Sequence, residues 1–178
     1  MMPFVFVAAA LALASNGRIE GDPNDIENFH RIDARVCTGG QPTRDQIVAL
    51  RDAGVRTILN LREAEEHNVG EEHLAADEAG LRYIHIPVRA SAPAAWQAKA
   101  FLGALSSSEV YPIYIHCGSG NRVGAFWMIR RILVDGWDAE AAEKEARKIG
   151  LKSESLRDFA LAYARAHASA RSPSPPGG

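Results

Sequence analysis

The chain has 178 residues, 47% hydrophobic and 24% charged, a length and composition that suit one globular domain. A net charge of −2 offers no basic field for nucleic acid. Two cysteines exclude a disulfide scaffold and a four-cysteine zinc site, the six histidines form no His-x-x-x-His pair, and no metal or cofactor is expected.

Residues 1–15 are apolar and uncharged and end in Ala12-Leu13-Ala14, a small-residue pattern that signal peptidases cut. The run is too short to span a bilayer, and it lacks the Lys or Arg that normally precedes such a segment. It reads as a signal peptide, giving a periplasmic or secreted protein with no stable membrane insertion after cleavage. A mis-assigned start would leave the protein cytoplasmic. Residues 16–168 read as the folded domain. Residues 169–178, rich in Ser, Pro and Gly, read as a disordered tail.

Within the domain, four β-branched or aromatic runs predict strands at residues 35–38, 55–61, 81–88 and 111–117. The last three are almost continuously apolar, as strands covered on both faces are. Helices are predicted between and after them. Thr43-Arg44-Asp45-Gln46 is a capping box opening a helix that stops at Gly54. Others cover 68–79, 93–106, 121–134, 138–149 (Asp138 as N-cap, Gly150 as C-cap) and 153 to about 168. Strands alternating with helices imply a small, mostly parallel α/β sheet of about four strands flanked by about six helices.

Ligands of such sheets sit beyond the carboxyl ends of the strands. Those ends carry Gly39-Gly40-Gln41-Pro42, Arg62-Glu63-Ala64-Glu65-Glu66, Arg89-Ala90-Ser91 and Cys117-Gly118-Ser119-Gly120-Asn121-Arg122. The last of these carries the chemistry. Gly118 and Gly120 let the backbone curl, so that N–H groups of Gly118, Ser119, Gly120 and Asn121 can point at one anion, and the helix starting near Asn121 adds its positive end. Arg122 can fork onto an oxyanion. Cys117 stands in the same positive field, which favours a thiolate. A thiolate beneath a clamped oxyanion suits nucleophilic displacement at phosphorus or sulfur. His116 either orients this loop or is a core imidazole bonded to backbone.

These residues resemble the cysteine-dependent phosphatase superfamily, and more closely the bacterial beta-lactamase hydrolase-like phosphatases, a branch of dual-specificity type. The likeness runs from Arg35 to about Leu151 and rests on Gly39-Gly40-Gln41-Pro42-Thr43, Ile58-Leu59-Asn60-Leu61-Arg62, His85-Ile86-Pro87-Val88 and the Cys117–Arg122 loop. It implies a three-layer cysteine-phosphatase fold, with Cys117 forming a phosphocysteine and Arg122 clamping the phosphate. Three features depart from the wider superfamily. Four residues rather than five separate Cys117 from Arg122, a spacing shared with the closer family and also with many rhodanese sulfurtransferases. Val123 stands where a Ser or Thr usually assists the leaving thiolate, so Ser119 or Asn121 would have to substitute, or the thiolate leaves unassisted. The stretch 89–93, where such phosphatases carry an Asp general acid, has no carboxylate, and the nearest acids on the rim are Glu63, Glu65 and Glu66.

The expected activity is hydrolysis of phosphate monoesters on a phosphorylated protein or small molecule. The alternatives are a rhodanese-like sulfurtransferase or persulfide-handling enzyme, or a weakly active anion-binding module. Gln41 is placed on the rim of the site. Arg62 is either a second anion contact or a surface arginine. Cys37, read as ending the first strand beside the nucleophile strand, is a candidate redox partner for Cys117 if register and face allow. Oligomeric state is left open.

Overall fold

A computed structural model describes residues 21–168. The signal-peptide and tail readings lie outside these residues. After a 3₁₀ turn at Pro23–Asp25 come β1 (His30–Arg31), β2 (Val36–Gly39), α1 (Arg44–Asp52), β3 (Thr57–Asn60), α2 (Val69–Glu78), β4 (Arg82–His85), α3 (Ala95–Ala104), a second 3₁₀ turn (Ser108–Val110), β5 (Ile113–His116), α4 (Asn121–Leu133), α5 (Ala139–Ile149) and α6 (Glu154–Ala168).

The local signals act as their chemistry dictates. Thr43 Oγ1 accepts from Gln46 N–H at 3.2 Å and Gln46 Oε1 accepts from Thr43 N–H at 2.9 Å, closing the capping box of α1. Asp138 accepts from Ala141 N–H at 2.8 Å at the head of α5, and Gly150 follows its last turn at φ 129°. Ser153 Oγ accepts from Leu156 N–H at the head of α6. The third helix begins at Ala95, two residues later than Pro93, where Gln97 Oε1 caps Ala94 N–H at 2.7 Å.

The sheet has five strands in the order β1-β2-β5-β3-β4. Four are parallel. The fifth, β1, is a two-residue antiparallel edge pairing His30 with Thr38 and Arg31 with Cys37. The sequence reading expected four strands, because two residues are too few to show a period. In register, Gly39, His116, Asn60 and His85 form one row across the sheet. Every parallel strand thus ends at the same level, and the loops beyond that row share one rim.

Side chains alternate across the sheet and build two cores. On one face Cys37, Ile58 and Tyr114 meet Ile47 and Leu50 of α1 and Ala75 and Ala76 of α2. On the other, Val36, Leu59, Ile113 and Ile115 meet helices α3 to α6. Helix α4 is buried almost all round from Arg122 to Ile129, as a helix covered on every side is. Gly124 makes that possible, since a Cβ there would lie 2.6 Å from the Ala146 carbonyl of α5.

Candidate active site

The central strand β5 stops at His116, and six residues carry the chain from Cys117 to Arg122 at the start of α4. Gly120 caps α4 at φ 88°, a left-handed conformation that costs a side chain roughly 1–2 kcal/mol. A Cβ at Gly120 would also lie 2.3 Å from the Ile149 carbonyl. The loop is pinned from outside. Gln41 N–H donates to the Gly118 carbonyl at 3.0 Å, Asn28 Nδ2 donates to the Ser119 carbonyl at 2.8 Å, and Gly40 bridges Ser119. These bonds occupy the Gly118 and Ser119 carbonyls, and the loop leads into the positive end of α4, which favours an anion.

Cys117 is buried at the base of the loop. Arg122 returns over it: its Nη2 lies 3.6 Å from where a Gly118 Cβ would stand. The guanidinium donates from Nη1 to Glu66 Oε1 at 2.5 Å and to the Val88 carbonyl at 3.1 Å, and from Nη2 to Glu66 Oε2 at 3.0 Å. Burial opposes its charge, but the Glu66 hydrogen bond and the nearby Cys117 outweigh that and raise its hold on the proton. The clamp is therefore preset by a carboxylate before any substrate arrives.

The three glutamates separate. The Arg122 hydrogen bonds outweigh desolvation and, with the Glu63 amide and Arg62, pull Glu66 down to about 2. A group that is ionised throughout the working range cannot donate a proton to a leaving group, which removes Glu66 as a general acid in this arrangement. Glu63 Oε1 accepts from Arg89 Nε at 2.9 Å at the surface, and Glu65 is exposed. Arg62 is not a surface arginine. It is 7% exposed and acts as an internal strut, donating to Glu66 Oε2 at 3.2 Å, to the His67 carbonyl at 2.7 Å and to Gln41 Oε1.

Asn121 is corrected in part. Its Oδ1 accepts from Lys152 and Ser153 N–H at 2.9 and 3.1 Å, tying the α5–α6 turn to α4, so the side chain is not available to the site. Only its backbone amide remains for phosphate. Ser119, half-buried, is then the loop's hydroxyl, while Val123 is fully buried in the core.

Cys37 is also corrected. It is the second residue of β2 and pairs in register with Tyr114, three residues before Cys117. That is about 10 Å along the strand. An odd offset also puts the two thiols on opposite faces, and each belongs to a different core. Cys37 Sγ lies 3.7 Å from the Ile113 carbonyl, and burial, with Asp33, pushes its thiol up to about 11 against the pull of Arg31. It cannot bridge to Cys117.

His116 is fully buried, and its Nδ1 lies 3.2 Å from the Cys117 carbonyl. Its other nitrogen meets Glu72 Oε1 at 2.7 Å, with both side chains sealed from solvent. Burial works against the Glu72 charge, yet His116, Gln41 and Tyr83 together hold its carboxyl below the usual range. The sequence reading missed Glu72. The signal was there, because Glu72 shares the buried stripe of α2 with Val69, Ala75 and Ala76, where a carboxylate needs a partner.

A parallel sheet ending on one row, with a cysteine, a glycine-rich loop and a clamping arginine at the head of its central helix, defines the class of cysteine-dependent phosphatase folds. The chain belongs to the family described as DSP-PTPase phosphatase fused to NAD+ kinase, whose model matches residues 14–160. It is 32% identical over 109 residues to the Beta-lactamase hydrolase-like protein of Xylella fastidiosa (strain Temecula1 / ATCC 700964), a match covering 59% of this chain and 25% of that protein. It is 26% identical over 140 residues to the dual specificity protein phosphatase TpbA of Pseudomonas aeruginosa (strain UCBPP-PA14), covering 78% of this chain and 62% of TpbA. The chain thus spans a quarter of the first relative and less than two thirds of the second. A DUF442 protein of Shewanella putrefaciens CN-32 superimposes with a TM-score of 0.69 at 20% identity, covering 81% of this chain and 95% of the other.

Proposed function

We propose that the chain hydrolyses phosphate monoesters through a phosphocysteine on Cys117, with aryl phosphates preferred over alkyl ones. The observation that carries this reading is the joint placement of Cys117 and Arg122, with the guanidinium folded back over the loop base and the loop amides at the head of α4. The Cys117 thiolate attacks phosphorus and the bond to the leaving oxygen breaks. Arg122 and the loop amides take up the charge on the equatorial oxygens. Water then attacks phosphorus, the P–S bond breaks, and phosphate leaves with the thiolate restored.

The leaving oxygen needs a proton unless it is phenol-like. Residues 89–93 carry no carboxylate and Glu66 is committed to Arg122. Loss of a general acid costs about 10²–10⁴ in rate for a poor leaving group, which supports an aryl preference. Glu63 and Glu65 are the remaining acids on that wall. TpbA, solved in complex with pTyr, is a relative in which such a ligand has been seen. The four-residue spacing, which departs from the wider superfamily though not from the closer family, keeps a second reading, sulfur transfer on the same cradle. Hydrolysis of p-nitrophenyl phosphate beside thiosulfate-to-cyanide transfer separates the two. Phosphate release lost in Cys117→Ser supports the first. Thiocyanate formation without phosphate release replaces it with the second.

A further inference from the structure

A cavity of about 450 Å³ lies between the edge strand β1, the α4–α5 turn and helix α5. That size is in the range that holds small molecules. None of its lining residues belongs to the Cys117–Arg122 loop. It meets that loop at one point: Ile149 lines the cavity, and its carbonyl packs against Gly120.

The cavity gathers positive charge. Arg31 from β1 and Lys144 and Lys148 from α5 line it, and all three are exposed. Among the described residues none of the three is ion-paired, whereas Arg130, Arg131, Arg147 and Arg157 on the neighbouring helices all are. Helix C-termini attract cations. That accounts for Lys148 in the last turn of α5, but not for Lys144 a turn earlier or for Arg31 on another element. The lining also includes a carboxylate, Glu145, which is already spent. Arg131 donates to both its oxygens, at 2.6 and 2.9 Å, and Trp127 Nε1 donates to it at 2.8 Å. Three cations thus share a concave surface without a counter-charge, in a chain whose net charge is −2. Their mutual repulsion is relieved by an anion.

One wall is aromatic. Trp137 lines the cavity and leaves 37% of its surface exposed, while the Arg131 guanidinium covers its ring at 4.3 Å from the centroid. An exposed indole beside three free cations suits a ligand with a planar ring and a multiply charged tail, because ring stacking and ion pairing can then act together. We propose that this cavity binds a nucleoside di- or triphosphate, with its base against Trp137 and its phosphates on Lys144, Lys148 and Arg31. The assignment is independent of the reaction at Cys117 and holds whether that loop moves phosphate or sulfur.

The probe is magnesium-free ATP, with tripolyphosphate and adenosine as its two halves, titrated by calorimetry into the full chain. The Cys117–Arg122 loop also suits a phosphate, so wild type is compared with Lys144→Ala/Lys148→Ala, Trp137→Leu and Arg122→Ala. Both lysines are exposed and unpaired, so the double variant folds and keeps the wild-type rate on p-nitrophenyl phosphate. Loss of two ion pairs weakens ATP about tenfold. Trp137→Leu weakens ATP about fivefold or more and leaves tripolyphosphate unchanged. Arg122→Ala retains one ATP site of wild-type affinity. Binding that ignores the lysine pair, or that disappears in Arg122→Ala, puts ATP in the Cys117 loop and overturns the proposal, as does an absence of ATP binding. Tripolyphosphate bound as tightly as ATP overturns the nucleoside assignment, since the indole then takes no part and an acidic peptide would serve as well.

Discussion

Replacing Arg122 by lysine keeps the positive charge and removes the fork. In the structure Arg122 spends two donors on Glu66 and one on the Val88 carbonyl, and its side chain is only 11% exposed. A lysine ammonium is one point charge that cannot hold both Glu66 oxygens, reach Val88 and contact an equatorial phosphate oxygen at once. Hydrogen bonds to charged groups are each worth about 1.5–3 kcal/mol. Loss of one at the phosphate, with the retained charge offsetting part of it, leaves a deficit of about 1.4–2.8 kcal/mol, or ten- to a hundredfold in affinity. The assay is calorimetric binding of inorganic phosphate to Cys117→Ser and to Cys117→Ser/Arg122→Lys, which separates clamping from chemistry. Arg122→Ala falls further, because Glu66 is then left beside the loop without its main partner. Affinities within twofold for the arginine and lysine proteins would refute the reasoning, since they would mean that charge alone, not the fork, holds the anion.

Three other outcomes are expected. Glu66, held at about 2 by Arg122, stabilises the fold fully above the ordinary carboxylate range, and that contribution fades as pH falls from about 4.5 toward 2; the urea midpoints of wild type and Glu66→Gln should differ by a constant amount from pH 5 to 8 and converge in acid, and a gap that widened in acid would reverse the assignment. Gly120→Ala should cost at least about 1–2 kcal/mol from its left-handed backbone and more from the Ile149 carbonyl 2.3 Å away; a lowered thermal midpoint together with weakened phosphate binding checks it, and unchanged binding would mean that the loop geometry is not needed. Cys37→Ala should leave peroxide inactivation of Cys117, and its failure to recover with dithiothreitol, as in wild type, because the two thiols lie on opposite faces of the sheet; selective loss of recovery in the variant would contradict the register.

Much of the architecture is legible in the chain because its signals are local. Capping at Thr43, Asp138 and Ser153 depends on residues within three positions, and a buried strand such as β5 declares itself by an apolar run. The Cys117–Arg122 loop is legible for the same reason: cysteine, glycine hinge and arginine lie within six residues. What sequence could not supply is partnership across distance. Glu66 and Arg122 are 56 positions apart and His116 and Glu72 are 44 apart, and nothing in either stretch names the other. Arg62 looks like any rim arginine until Gln41 and Glu66 close around it. Cys37 fails by register, a property of two strands together, and Asn121 fails because its side chain answers a turn 31 residues later.

Helix α4 is enclosed by the sheet, α5 and α6, and it begins in the loop that follows Cys117. Its amides should be among the last to exchange with solvent, since opening them requires global unfolding. The opposite wall, formed by residues 62–68 and 89–93, is looped and largely exposed. Substitution and insertion are tolerated at such loops and resisted in a helix of that kind. The molecule is therefore divided into a half that preserves the reaction and a half on which selectivity can drift, with the Glu66–Arg122 contact as the seam between them.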